Sequence, residues 1–250
     1  MLPNSFTSIS EFVSGSVLLI DKPYDWSSFD VLNRIKGFVR NNVKIPPNEQ
    51  GQPQKFKIGH AGTLDPLATG LLVVCTGKFT KRIDEFQGGE KEYTGTIRFG
   101  KTTPSFDLET APEGDFPIEH LTEALVKEAA LAFEGPQMQQ PPVYSAKQVD
   151  GKRAYNAARS GEKIDIPAVP ITVHTFRITH FAPTQADFLI RCSKGTYIRS
   201  IANDLGQKLD TGSFLESLRR TASEPFRVEN ALTLDELLAR LAAISGPGTV

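Results

Sequence analysis

The stretch from Lys57 to Lys81 constrains the fold of this chain more than any other. It reads KIGHAGTLDPLATGLLVVCTGKFTK, with Gly59, Gly62, Gly70 and Gly77 placed around an apolar centre. The run Leu71–Cys75 is short, apolar and flanked by glycine, which predicts a buried strand fed by a loop. Asp65 sits on that loop. The proline after it biases Asp65 away from helical geometry. Three glycines within twelve residues (Gly59, Gly62, Gly70) let a ligand or another chain segment approach the backbone closely. A carboxylate on such a loop, just before a buried strand, is placed for covalent or acid–base chemistry. The same pattern also suits an aspartate that only closes a turn.

Around this centre the pattern predicts alternating short elements. Residues 1–14 read as a loosely ordered lead-in, and Ser16–Ile20 as a strand running into Asp21-Lys22-Pro23. Ser27 and Asp30 have capping-box spacing, and Val31, Ile35, Phe38 and Val39 follow at helical intervals, so 28–40 reads as a helix. Residues 41–57, with three prolines and several amides, read as a loop. Tyr93–Phe99 alternates as a strand does. Leu121, Leu125, Ala129 and Phe133 mark a helix that Gly135-Pro136 stops. Ile171–Phe181 and Ala186–Ser193 read as strands, and Ile198, Ile201, Leu205 and Leu209 as a helix. Thr233 and Glu236 form a second capping box ahead of a last helix. Strands and helices alternate without a strict βαβ repeat. That points to an α+β fold with a mixed sheet.

Charge is nearly balanced: 28 Lys and Arg against 29 Asp and Glu in 250 residues. A balanced total still allows one positive face. Residues 101–135 carry eight acids against Lys101 and Lys127. Residues 141–163 carry Lys147, Lys152, Arg153, Arg159 and Lys163 against Asp150 and Glu162. The two cysteines, Cys75 and Cys192, lie in apolar contexts and read as buried thiols. No Cys/His cluster has zinc spacing. The start lacks a basic and an apolar region of the kind a signal peptide needs, and the longest apolar runs are too short to span a bilayer. These features predict a cytoplasmic protein without membrane association.

The residues of the Asp65 loop resemble a known family. GHAGTLDPLATGLL is similar to the signature of the TruB family of tRNA pseudouridine synthases. Four further segments are similar to family motifs and stand in the family's order: Val17–Pro23, Lys91-Glu92-Tyr93, Pro141–Ala146 and Gly195–Ser200. Together they cover about residues 15–222. The resemblance implies the pseudouridine synthase fold, α+β with a mixed, largely antiparallel sheet flanked by helices. It also implies isomerisation of uridine 55 in the T loop of tRNA. That reaction breaks the N1–C1′ bond, turns the uracil and rejoins it through C5. It needs no redox change and no group donor, so no cofactor or metal is implied, and no obligate protein partner is expected.

By this resemblance Asp65 starts bond cleavage, by attack on the sugar, attack on the base or removal of a ribose proton. Tyr93 lies against the base, where a phenol offers a stacking face and an acid–base hydroxyl. Arg199 pairs with the Asp65 carboxylate and keeps it ionised. His60 helps hold the RNA open, Leu218 lines the base pocket, and Tyr197 stands beside Arg199 in the substrate-binding set. Lys22 belongs to the same set, with support of the Asp65 loop as its expected task. A base inside folded RNA must be extruded before it can react. Lys152 and Arg153, with Arg219 and Arg220 beside the pocket, are expected to grip the tRNA phosphates.

The chain is expected to comprise the lead-in and one domain over 15–250, without the small RNA-binding domain of PUA type that many bacterial members carry. Two other function classes fit parts of the pattern. An RNA-binding or RNA-chaperone protein on the same fold has no need of Asp65, Tyr93 and Arg199 together. A glycoside hydrolase using Asp65 needs a second carboxylate opposite the first, and no second acid stands in a comparable loop.

Overall fold

The computed structural model describes residues 3–45, 47, 50–53, 55–144, 148–149, 152–153 and 166–245; at 148–149 and 152–153 it describes the backbone. In chain order the elements are α1 (Ile9–Ser14), β1 (Val17–Lys22), α2 (Ser28–Asn42), β2 (Ile58–His60), β3 (Ala68–Thr76), a 3₁₀ helix (Gly77–Arg82), α3 (Ile83–Gln87) and β4 (Lys91–Phe99). There follow α4 (Glu123–Leu131), β5 (Gly135–Gln139), β6 (Gln148–Val149), β7 (Lys152–Arg153), β8 (Val169–Ala182) and β9 (Gln185–Cys192). The chain continues with α5 (Ile198–Lys208), β10 (Ser213–Ser223), β11 (Phe226–Arg227), a second 3₁₀ helix (Val228–Asn230) and α6 (Leu234–Ser245). It divides into two compact units, one of residues 1–90 with 219–250 and one of residues 91–218. Strand β10 passes from the second to the first.

In the first unit β1 and β3 pair antiparallel from Val17 opposite Cys75 to Lys22 opposite Gly70. Both faces of this pair are covered, which is why Val17–Ile20 and Leu71–Cys75 are continuous apolar runs instead of alternating. Leu18, Ile20, Leu72 and Val74 face a cluster with α1, α2 and α6. Val17, Leu19, Leu71, Val73 and Cys75 face a second cluster with Phe79. Helix α2 starts with a full capping box: Ser27 Oγ accepts from the Asp30 N–H at 3.1 Å, and Asp30 Oδ2 accepts from the Ser27 N–H at 2.9 Å. Thr233 and Glu236 do the same for α6, at 3.2 and 2.8 Å. The lead-in is more ordered than its sequence predicts. Phe6, Phe12 and Val13 are buried, Phe6 meets Phe12 edge-on at 5.2 Å, and Phe12 stacks on Phe56 at 5.4 Å.

The second unit is built on antiparallel pairs β4–β9, β9–β8 and β8–β5. Its core includes Ile97, Phe176, Phe188 and Ile190, with Val126 and Ala130 of α4. The architecture is therefore α+β, a mixed and largely antiparallel sheet with helices against it. Isolated parallel bridges join Ile20 with Leu232 and Asp107 with Leu215. Both cysteines are buried, and burial pushes the Cys75 thiol up to about 11. Among the described residues no helix is long and apolar enough to cross a membrane.

Candidate active site

The loop between β2 and β3 carries Asp65 and has no regular hydrogen-bonding pattern of its own, yet almost every residue in it is held. The Ala61 N–H donates to Val73 O at 2.8 Å and the Ala68 N–H to Asp65 O at 3.1 Å. Three side chains from distant positions do the rest. Ser28, in the first turn of α2, exchanges two hydrogen bonds with Leu64: its Oγ accepts from the Leu64 N–H at 2.8 Å and donates to Leu64 O at 3.1 Å. Lys22, at the end of β1, donates from Nζ to Pro66 O at 3.1 Å, to Pro23 O at 3.0 Å and to Trp26 O. Arg220, on β10, donates to Leu71 O at 2.7 Å, Gly62 O at 3.2 Å and Thr63 O at 3.5 Å. A loop fixed in this way presents its carboxylate without the conformational search that a free loop would need.

Two glycines make this possible. Gly62 has φ +101° and Gly70 φ +97°, values that L side chains rarely adopt. At Gly70 a Cβ would also collide with the Arg220 backbone, so this glycine lets β3 and β10 approach.

The charges around the loop are unusual. Lys22 is fully buried. Burial pushes its ammonium down to about 8, with the Asp65 charge opposing that fall and the Arg220 charge adding to it. Lys22 therefore supplies a positive potential that favours the ionised form of Asp65. The His60 ring, on β2, is held below its ordinary value by burial first and by Arg220 second, with the Gly62 backbone offsetting part of the shift. It is a neutral imidazole at neutral pH. Its Nδ1 is buried without a partner of hydrogen-bond geometry among the described residues.

The structure changes the reading of the two arginines on β10. Arg220 was expected at the phosphates, but its side chain is buried, with 2% residue exposure, and its donors are engaged by backbone carbonyls of the Asp65 region. A guanidinium in that position holds the loop. Arg219 forms a bidentate pair with Asp21, at 2.9 and 2.7 Å, which already occupies both arms of its fork. Lys22 meets the loop through the Pro66 carbonyl.

In the second unit Tyr93 is buried on β4, opposite Ile190 of β9. Arg199 stands in the first turn of α5 with 4% exposure. It faces Asp107 at 3.5 Å and donates to Ser105 O at 3.3 Å and Tyr144 O at 2.8 Å. Tyr197 is half-buried, and its backbone is clamped by Gln139 of β5, which accepts from its N–H at 2.8 Å and donates to its C=O at 3.0 Å. Leu218 is half-buried on β10. Ser28, Asp21, Asp107 and Gln139 were not read as site residues from the sequence. Their partners are remote in sequence, and the signal each leaves is one polar residue next to a motif. Lys152 and Arg153 form a strand pair with Gln148–Val149. Their side chains lie outside what the structure describes, as do Lys147, Arg159 and Lys163.

The model of the TruB family pseudouridylate synthase N-terminal domain matches residues 51–198, and the tRNA pseudouridylate synthase B C-terminal domain matches residues 199–245. This chain belongs to the TruB family. The family's N-terminal match includes the Asp65 loop, Tyr93 and Tyr197; the C-terminal match begins at Arg199 and takes in β10 with Arg220. A TruB-family relative from Flavobacterium johnsoniae, named tRNA pseudouridine synthase B, is 52% identical over 90% of this chain and 95% of its own length. A relative of the same name from Phocaeicola vulgatus is 44% identical over 90% of this chain and 92% of its own. Among solved structures, a chain of a Cbf5–Nop10–Gar1 complex superposes with TM-score 0.66 and 27% identity over 91% of this chain. This chain spans about half of that chain's length, 54%.

Proposed function

We propose that this TruB-family enzyme converts uridine 55 to pseudouridine in the T loop of tRNA, with Asp65 acting on a flipped-out base in the cytoplasm. The observation that carries the reading is the Asp65 loop. Its sequence resembles the family signature, and Lys22, Ser28 and Arg220 fix its backbone on both sides of the carboxylate. Relatives that align over nine-tenths of their length are named tRNA pseudouridine synthase B.

The chemistry asks for little else. Asp65 starts cleavage of the N1–C1′ bond. The freed uracil turns, C5 bonds to C1′, C5 gives up its proton and N1 gains one, so atoms and electrons balance without a cofactor. Tyr93 supplies a ring against the base and a hydroxyl suited to the C5 proton. Arg199 favours the ionised Asp65. His60 enters as a neutral imidazole that occupies space beside the extruded nucleotide, and Leu218 and Tyr197 bound the base pocket.

The test is direct. Purified protein is incubated with unmodified tRNA, and pseudouridine is mapped by carbodiimide modification and primer extension. Formation at position 55 alone, abolished in Asp65→Asn with tRNA binding retained, is the expected result. Modification at another uridine, or turnover in Asp65→Asn above about a thousandth of wild type, overturns the site or the role of Asp65.

A further inference from the structure

Helix α2 and the segment after it border an open groove of about 760 Å³ in the first unit. Three cations, Lys36, Arg40 and Lys55, line it, together with Asn33, and no acidic side chain does so among the described residues. Its floor is apolar. Val43, Ile45 and Phe56 reach into it and also pack on the core, Phe56 being the ring that stacks on Phe12. The wall formed by residues 43–45 and 55–56 is therefore anchored. Gly37, on the same helix face, leaves the groove clear, since a Cβ there would meet nothing within 4 Å.

The charge is local. Residues 28–57 hold six Lys and Arg against two acids, while the whole chain carries net −1. None of this is needed to hold the Asp65 loop, which takes its cation contacts from Lys22 and Arg220. Yet the groove is tied to that loop, because α2 begins at Ser28, the residue that exchanges two hydrogen bonds with Leu64. From Ser28 to Arg40 the helix rises about 18 Å. A nucleic-acid strand carries a phosphate about every 3.4 Å along a duplex. Beside this line Phe29 is 60% exposed, with the Lys36 ammonium 5.7 Å from its ring centre. An exposed ring beside cations is a platform on which a base can stack.

We infer that the groove formed by α2 with residues 43–45 and 55–56 is a second contact site for the tRNA substrate, in which Lys36, Arg40 and Lys55 bind the phosphodiester backbone leading away from the base at Asp65. The inference rests on the reading of the substrate as tRNA. Its charge, its openness and its link to Leu64 all fit a polyanion entering from the reacting nucleotide. A small apolar ligand would leave three cations unmatched, and a protein segment would have to supply acids in their place.

The experiment compares the full chain with the triple variant Lys36→Ala, Arg40→Ala, Lys55→Ala and with Gly37→Glu. The glutamate brings a negative charge into the groove at a position where no packed atom is displaced. Binding of unmodified tRNA is measured by filter retention between 50 and 300 mM potassium chloride. Melting temperatures monitor the fold, and Lys101→Ala with Lys127→Ala serves as a control that removes two cations outside the groove. The triple variant is expected to weaken binding about tenfold or more at physiological salt. The slope of log K against log salt should fall by about two to three, near 0.9 for each phosphate that is no longer neutralised. Gly37→Glu should weaken binding in the same direction, and the control should leave the slope unchanged.

An unchanged slope in a triple variant that melts like wild type overturns the inference. So does a loss of affinity matched by the control, and so does a triple variant that fails to fold if Gly37→Glu folds and binds as wild type. Pseudouridine formation by wild type is scored separately. If wild type makes none, the substrate reading has failed. If wild type makes it and the slope does not move, the groove alone has failed.

Discussion

At the scale of single residues, the two adjacent arginines on β10 separate two kinds of contribution that look alike in sequence. Arg220 is a buried cation whose partners are three backbone carbonyls, and removing it leaves those acceptors in a dry environment. Hydrogen bonds from a charged group are worth about 1.5–3 kcal/mol each, and stranding buried partners costs more than the bonds gave. Arg220→Met should therefore lower unfolding free energy by about 3–5 kcal/mol in urea titrations. Arg219 and Asp21 are both partly exposed, with side-chain exposures of 40% and 29%. A pair of that kind is worth about 0–1 kcal/mol, so Arg219→Gln should cost no more than that. Equal effects of the two changes would contradict this division.

Lys22 makes a pH-dependent prediction. Its folded-state value of about 8 lies below that of a free lysine, 10.5. Between those values the unfolded chain binds more protons than the folded one, so stability from this group rises as pH climbs from about 8 towards 10.5. Below pH 8 the lysine is charged in both states and the cost of burying it is fully felt. The difference in unfolding free energy between wild type and Lys22→Met should thus move in favour of wild type as pH goes from 7.5 to 10. A difference that is flat with pH would mean that Lys22 titrates normally.

At the scale of elements, the start of α2 offers two serines, the cap Ser27 and the first helical residue Ser28, and they do different things. Ser27 closes the capping box, and Ser27→Ala should cost about 0.5–2 kcal/mol of stability. Ser28 holds Leu64, next to Asp65. Ser28→Ala should lower turnover about tenfold or more while changing tRNA affinity little, because it loosens the position of the carboxylate and not the grip on RNA. Single-turnover rates at saturating tRNA check this; a rate within twofold of wild type would show that the loop holds without Ser28.

Elements whose signals are local were legible in the sequence. Both capping boxes, the α5 periodicity and the alternation of β4, β8 and β9 could be read, because cap spacing and side-chain period depend on near neighbours. Strand β10 could not. SFLESLRRTAS carries three charges in eleven residues, and each is answered by a remote partner: Glu216 by Arg98, Arg219 by Asp21, Arg220 by carbonyls of residues 62, 63 and 71. Strand β5 begins with Gly135-Pro136, which reads only as the end of a helix, and α1 is too short to show a period. The same division holds in the site. Asp65 stands in a contiguous motif that can be read locally, whereas Ser28 and Asp107 make their contacts across 36 and 92 positions of chain, which no local pattern records. The task of Arg220 was misread because a charge in sequence does not show that three carbonyls need it.

At the scale of the whole molecule, a chain of net charge −1 must bind a polyanion through the distribution of its charges. The basic stretch 28–57 belongs to the first unit and the acidic stretch 101–135 to the second. If the acids do not face the RNA, their effect on binding is felt only through solvent, where screening limits it to about 8 Å at physiological salt. The salt dependence of binding counts phosphates neutralised by cations and is indifferent to acids that touch none. Glu113 and Glu128 are exposed members of the acidic stretch. Changing both to glutamine removes two negative charges without removing any cation. The expected result is a shift in tRNA Kd of less than about threefold at 150 mM salt and an unchanged slope of log K against log salt. Binding tightened tenfold, with the gain lost at high salt, would place these acids against the RNA and require the substrate to cross the acidic stretch of the second unit.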